Sequence, residues 1–188
     1  MIKFTDSSKI AGRLRTANGR LIGIDGINGA GKTTLAIKLA AELGYTHINL
    51  DDYVEKNRGT FVEHVKYNEL RSAIHNAHTA VIFDGVCLLA VLERLQRKAD
   101  ILIYVRRISE SGLWRDETKC HIVGNVDDLI LCEKNTHRKF CEVDARIEGK
   151  DFDPITCDIP PIDEELIRYH HRFAPYGRAD IIYDRIYK

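Results

Sequence analysis

The sequence has no excess of charge of either sign, because 28 basic and 28 acidic side chains give a formal net charge of zero. A chain of this kind has no overall positive field to attract nucleic acid or an anionic membrane. It also has no apolar run long enough to cross a bilayer, and its first residues lack the apolar core of a signal peptide. We therefore expect a cytoplasmic protein with no nucleic-acid partner and no membrane partner.

Cysteine is also scarce, with five residues in the chain and no Cys-x-x-Cys pair. An odd number of cysteines without such pairs favours reduced thiols over a disulfide framework. The residues that come closest to a metal-binding group are Cys120, His121, Cys132, His137 and Cys141. Their spacings match no usual zinc motif, which argues against a zinc-binding module.

The most informative stretch covers residues 21–43, where an apolar strand, a glycine-rich loop and an amphipathic helix follow one another. The loop matches G-x-x-x-x-G-K-[ST], in which backbone N–H groups at a helix N-terminus converge on phosphate oxygens. The predicted nucleotide-binding residues are Gly26, Asn28, Gly29, Ala30, Gly31, Lys32, Thr33 and Thr34. We expect Lys32 to reach the β- and γ-phosphates, and the Thr33 hydroxyl to bind the Mg²⁺ that accompanies ATP.

The rest of the chain alternates apolar strands with helices, which is typical of a parallel sheet covered on both faces. The later predicted strands are residues 45–50, 80–83, 100–105 and 179–183. No repeat, low-complexity tract or linker divides the sequence. We therefore predict one α/β domain, residues 1–188, with the three-layer fold of P-loop NTPases and a mainly five-stranded parallel sheet.

One segment, residues 118–160, interrupts this alternation. Apolar residues alternate with polar ones at Cys141, Val143, Ala145 and Ile147, and again at Ile155, Cys157 and Ile159. Because a period of two is typical of strands, we predict a β-hairpin inserted as a lid. Residues 109–117, which contain Trp114 and Arg115, are predicted to form a helix just before it.

Acidic residues follow two of the predicted strands, Asp51 and Asp52 after the second and Asp84 after the third. The carboxyl ends of parallel strands meet at one edge of a sheet, so these side chains are expected beside the glycine loop. We predict that Asp84 holds Mg²⁺ through a water molecule, and that Asp51 takes a proton from an acceptor hydroxyl. Asp52 would face outward or towards the metal, and Tyr53 and Arg58 are candidate acceptor contacts.

Four motifs occur in a characteristic order: Ile-Gly-Ile-Asp-Gly…Gly-Ala-Gly-Lys-Thr-Thr-Leu-Ala, Leu-Asp-Asp-Tyr, Ile-Phe-Asp-Gly-Val and His-Arg-Phe-Ala-Pro…Ala-Asp-Ile-Ile. Together they resemble the uridine kinase and phosphoribulokinase superfamily, with nicotinamide riboside kinase as a close relative. The resemblance covers most of the chain outside residues 118–160. It implies that Asp51 is the catalytic base and that Asp84 replaces the usual Glu. It matches the phosphate-binding lid arginines to Arg107 and Arg115, and less closely to Arg106.

The sequence departs from this family where a Phe-Tyr pair usually follows the base, because Tyr53 is followed here by Val54. The predicted activity is transfer of the γ-phosphoryl group of ATP, or of GTP, to a hydroxyl of a small-molecule acceptor such as a nucleoside or ribosyl metabolite. Two alternatives stay open: a nucleotide-dependent ATPase or switch that acts on a protein partner, and a nucleoside monophosphate kinase that uses Arg58 and Arg71. A homo-oligomer is compatible with the sequence.

Overall fold

A parallel sheet of six strands, in the order β1-β6-β5-β2-β4-β3, forms the centre of the computed structural model, which describes residues 1–153 and 157–187. The strands are β1 (Ile2–Phe4), β2 (Leu21–Asp25), β3 (Thr46–Asn49), β4 (Val81–Asp84), β5 (Ile101–Ser109) and β6 (Ile181–Tyr187). This confirms the predicted α/β fold. The sequence predicted five strands because the sixth, β1, is only three residues long and pairs solely with β6 at the edge.

Helices cover both faces of this sheet. They are α1 (Ser7–Arg15), α2 (Lys32–Leu43), α3 (Tyr67–His75), α4 (Leu88–Arg94), α5 (Glu117–Cys120), α6 (Val126–Glu148), α7 (Pro161–Phe173) and α8 (Pro175–Arg178), with 3₁₀ turns at Leu50–Tyr53 and Val62–His64. Helices α1 and α2 pack on one face, and α3, α4 and α7 on the other. No helix in the described residues is long and apolar enough to cross a membrane.

The central strand β2 is buried along its whole length, which fixes the position of the loop that follows it. Its side chains alternate between the two apolar layers: Ile22 and Ile24 pack with α1 and α2, and Leu21 packs with α3 and α4. Each fully buried aliphatic side chain contributes about 1.5–3 kcal/mol relative to an exposed one. The loop after β2 therefore follows a strand that is buried throughout.

The predicted β-hairpin in residues 118–160 is wrong, because most of this segment forms the long helix α6. Asn125 caps the helix by accepting a hydrogen bond from the Asp127 N–H, and Gly149 ends it with a left-handed φ of 66°. Some apolar residues of this helix lie at exposed positions, since Val143 and Ile147 are 50% and 78% exposed. These residues masked the helical period in the sequence and produced an apparent period of two. Of the second arm, Ile155 lies outside the described residues, and Cys157 and Ile159 are in an irregular segment.

The predicted helix over residues 109–117 is also wrong. Strand β5 continues to Ser109, the chain turns at Gly112 with a φ of 84°, and Trp114 returns to form an antiparallel bridge with Ile108. The strand is longer than its apolar run because β6 pairs with it through Ser109, beyond the point where charged residues begin.

One ion pair joins β5 to β6 at this end of the sheet. Arg106 donates from Nε and Nη2 to the two carboxylate oxygens of Asp184, both at 2.7 Å. Its guanidinium also lies over the rings of Trp114 and Tyr176, at 5.0 and 5.5 Å from their centroids. Arg106 is thus a structural residue that holds two strands and an aromatic cluster together.

We expect Asp184→Asn to lower the free energy of unfolding by roughly 2–3 kcal/mol, because it leaves a largely buried guanidinium without its carboxylate. The two side chains are only 11% and 16% exposed. Urea denaturation measures the loss. The control is Glu42→Gln, which breaks the exposed Arg15–Glu42 pair and should cost less than about 1 kcal/mol. Equal losses in the two variants would contradict the structural role of Asp184.

Candidate active site

The glycine loop between β2 and α2 has a conformation that side chains would prevent. Gly26, Gly29 and Gly31 have φ values of 148°, 71° and 96°. A β-carbon at Gly26 would lie 2.7 Å from the Val105 carbonyl oxygen. Helix α2 begins at Lys32 without a hydrogen bond from a capping side chain. Its first N–H groups are therefore available to a phosphate.

Lys32 lies at the centre of this loop and is only 7% exposed. Its Nζ donates to the Ile27 carbonyl at 2.9 Å. Burial lowers the pKa of its ammonium group, while the carboxylates of Asp25, Asp51 and Asp84 oppose that shift. The loop thus holds Lys32 among three carboxylates. A phosphate bound there would interact with a positive charge that is already removed from water.

Thr33 and Asp84, predicted as metal-binding residues, lie together. The Thr33 hydroxyl donates to Asp84 Oδ2 at 2.7 Å, and the carboxylate of Asp84 is fully buried. The other oxygen, Oδ1, lies 2.6 Å from Nε2 of His47. A hydroxyl and a carboxylate at a phosphate loop suit Mg²⁺, which prefers oxygen ligands and keeps several waters. These residues would hold the metal, with His47 orienting Asp84.

Asp51 follows β3 and faces the loop across a cavity of about 490 Å³ that both help to line. Asn49 fixes the turn by accepting a hydrogen bond from the Asp51 N–H at 3.0 Å. Burial raises the pKa of the Asp51 carboxyl, nearby Lys32 lowers it, and Asp84 and Asp52 raise it further. Asp51 is itself an exposed residue, and a carboxylate with a raised pKa beside the glycine loop is suited to accept a proton.

The other two predicted residues of this turn lie differently. Asp52 is exposed, it does not line the cavity, and among the described residues no hydrogen bond joins it to Thr33 or Asp84. Tyr53 is half-buried and packs against the apolar core. Arg58 lies further along, in the exposed loop, where it pairs with Glu55 at 3.0 Å.

The predicted lid arginines, Arg107 and Arg115, make different contacts in the structure. Arg107 donates from Nε and Nη2 to both oxygens of Asp116, at 2.7 and 2.5 Å. Its third nitrogen, Nη1, lies 3.6 Å from the position that a β-carbon at Gly29 would take, so the guanidinium reaches the loop. Arg115 lies instead over the ring of Tyr187, 5.8 Å from its centroid. Of these two arginines, Arg107 is the one that lies against the glycine loop.

A buried contact at the start of the loop was not singled out from the sequence. Asp25, the last residue of β2, accepts hydrogen bonds from the Tyr169 hydroxyl and, at 2.6 Å, from the Gly26 N–H. Burial raises the pKa of the Asp25 carboxyl to about 6, and these two bonds together with Lys32 oppose the shift. The signal in the sequence was an acidic residue inside an otherwise apolar strand, but its partner lies 144 residues away.

The far wall of the cavity is apolar and is held by one carboxylate. Phe61, Val86, Ile162 and Leu166 line this wall. The two carboxylate oxygens of Glu165 on α7 accept hydrogen bonds from the backbone N–H groups of Phe61 and Val62, at 2.5 and 3.0 Å. Helix α7 thereby fixes the position of the wall relative to the glycine loop.

The sequence is similar to proteins described as kinases. Residues 28–66 match the family model "Shikimate kinase". The chain is 32% identical over 127 residues to a protein of Thermococcus kodakarensis named "Putative adenylate kinase", covering 60% of this chain and 68% of that one. It is 34% identical over 139 residues to a protein of the same name from Pyrococcus furiosus, covering 66% and 74%.

Solved structures with a similar arrangement are more distant. The structure described as a possible uridine kinase from Bacillus stearothermophilus is 14% identical, with a TM-score of 0.47 over 95% of this chain and 97% of that one. Shikimate kinase from Acinetobacter baumannii in complex with shikimate is 17% identical, with a TM-score of 0.42 over 95% and 89%. At these values the likeness carries no argument about function.

Glu165→Gln should loosen the apolar wall, because an amide can accept only one of the two N–H groups that the carboxylate accepts. We expect amide hydrogen exchange at Phe61 and Val62 to become roughly 10–100-fold faster, since hydrogen bonds to a charged group contribute about 1.5–3 kcal/mol. Glu164→Gln is the control, because Glu164 pairs with Lys134 and Arg168 instead. Unchanged exchange in Glu165→Gln would show that the wall does not depend on Glu165.

Proposed function

The chain belongs to the family of P-loop kinases that includes these archaeal relatives, and we propose that it transfers the γ-phosphoryl group of ATP to a hydroxyl of an uncharged small molecule. A nucleoside or another ribosyl compound is the acceptor class that fits best. The observation that carries this proposal is the makeup of the cavity: among the described residues that line it, Asp51 is the one carboxylate, and the far wall is apolar.

The chemistry follows from residues already in place. Lys32 and the backbone N–H groups of the loop would bind the phosphates, with Mg²⁺ held at Thr33 and Asp84. When bound, Mg²⁺ neutralises charge on the phosphoryl group during transfer. Asp51 would accept the proton of the acceptor hydroxyl and hold its oxygen in line for attack. Arg107, oriented by Asp116, would add positive charge beside Gly29.

An acceptor that carries its own phosphate would need cations on its side of the cavity. The basic residues that line the cavity are Lys32 and Arg185, and both lie at the phosphate loop. The arginines nearest in sequence to residues of the apolar wall are Arg58 and Arg168. Arg58 pairs with Glu55, and Arg168 pairs with Glu164 and Asp127. This distribution favours an uncharged acceptor.

A nucleoside monophosphate is the second candidate acceptor, and the observation that favours it is the name "Putative adenylate kinase" carried by the relatives. It would require a phosphate site beyond the apolar wall. Arg71 does not supply one, because it lines a separate cavity with Leu21 and Val81, at the amino ends of β2 and β4. The geometry of the described residues therefore gives the uncharged acceptor more support.

Asp51→Asn tests the proposal, because the amide cannot accept the hydroxyl proton. In a coupled assay with Mg-ATP and a panel of nucleosides and ribosyl compounds, we expect acceptor-dependent ADP release to fall by about 10²–10⁴-fold. Calorimetry should show nearly unchanged ADP affinity, since Asp51 faces the acceptor. Asp144→Asn, at an exposed position of α6, is the control.

Two outcomes would contradict the assignment. Near-wild-type turnover in Asp51→Asn would remove Asp51 from the chemistry. Slow ATP hydrolysis by the wild-type chain that no acceptor accelerates would instead favour an ATPase or switch with a protein partner.

A further inference from the structure

Arg185 on β6 touches the phosphate loop, although nothing in the sequence pattern singled it out. Its Nη1 donates to the carbonyl oxygens of Ala30 and Gly29, at 3.2 and 3.4 Å. Nη1 and Cδ also lie 2.9 Å from the position that a β-carbon at Gly31 would take. The side chain therefore lies directly against the loop, and it lines the 490 Å³ cavity.

The register of the two strands explains why this arginine is there. Strands β5 and β6 pair so that Arg106 is opposite Asp184, and Arg107 is opposite Arg185. Side chains alternate between the faces of a sheet, so the second pair points to the face opposite the first. The Arg106–Asp184 pair is neutral and largely buried. The next pair along the strands brings two arginines together at the glycine loop.

The two arginines differ in how their charge is compensated. Both oxygens of Asp116 accept from Arg107. Arg185 has no ion pair with any carboxylate in residues 1–153 and 157–187; its described hydrogen bonds are the two to loop carbonyls, and both come from one nitrogen. Its remaining donors are open to the solvent-facing cavity.

This arrangement has an energetic cost in the absence of a ligand. Like charges on paired residues of neighbouring strands repel each other. An anion bound beside Gly31 would offset that repulsion and would engage the free donors of a planar guanidinium, which matches phosphate geometry. The residues of the loop nearest to Arg185, from Gly29 to Gly31, lead directly into Lys32 and the first turn of α2.

We propose that Arg185 binds the phosphates of the donor nucleotide. This inference rests on the proposed function, because it assumes that the loop holds a nucleotide. The last strand thereby supplies a second cation that acts together with Lys32. This cation lies 156 residues from Gly29 in the sequence. The role of Arg185 is thus to bind the ligand, and not to stabilise the conformation of the loop.

Calorimetry on the full chain tests the proposal with two probes, Mg-ADP and Mg-tripolyphosphate. For Arg185→Gln we expect the Kd of both probes to rise about tenfold, the lower end expected for hydrogen bonds to a charged group. Arg185→Lys should recover part of the affinity, because it keeps the charge. Arg178→Gln is the matched control, since Arg178 is an exposed arginine of the nearby helix α8.

Three results would overturn the inference. One is unchanged affinity of Arg185→Gln for both probes. Another is a loss confined to ADP, which would place Arg185 at the base instead of the phosphates. The third is faster amide exchange of Gly29 and Gly31 in the ligand-free variant, which is the result expected if Arg185 only stabilises the loop. If the wild-type chain itself binds neither probe, the proposed function fails, and this inference fails with it.

Discussion

Gly26 lies so close to β5 that a β-carbon there would meet the Val105 carbonyl oxygen at 2.7 Å. This close approach determines where the chain leaves β2, and therefore where the loop N–H groups and Lys32 are placed. The neighbouring strands bring their own ends to the same edge, with Asp84 at the end of β4 and Asp51 just after β3. The candidate site depends on this one turn, because each partner is positioned relative to it.

Helix α7 connects the parts of the site that the sheet alone would leave independent. Glu165 holds the backbone of the apolar wall, and Tyr169, one turn later, donates to Asp25 at the start of the glycine loop. His170 lies 3.0 Å from the Tyr104 hydroxyl of β5, and burial lowers the pKa of its imidazole to about 4. His170 is therefore a neutral packing residue at physiological pH. The apolar wall, the glycine loop and the central sheet are thus held by side chains at three positions of a single helix.

The local parts of this molecule could be predicted from the sequence, and the long-range parts could not. The glycine loop, the alternation of strands with helices, and the placing of Asp51 and Asp84 at one sheet edge follow from patterns a few residues long. The predicted hairpin failed because period-two alternation over a few residues also occurs on a half-exposed helix such as α6. His47, Glu165 and Arg185 meet their partners across 37, 104 and 156 residues, so only the folded chain identifies them.

We propose that the cavity takes an uncharged acceptor beside the glycine loop. The most direct measurement is kcat/KM for each nucleoside or ribosyl compound, compared with its own 5′-phosphate, in the same coupled assay with Mg-ATP. We expect a preference for the uncharged form of about 100-fold or more, because a phosphate against the apolar wall would be desolvated without a cation. A preference for the phosphorylated acceptor would contradict it and would favour a nucleoside monophosphate kinase.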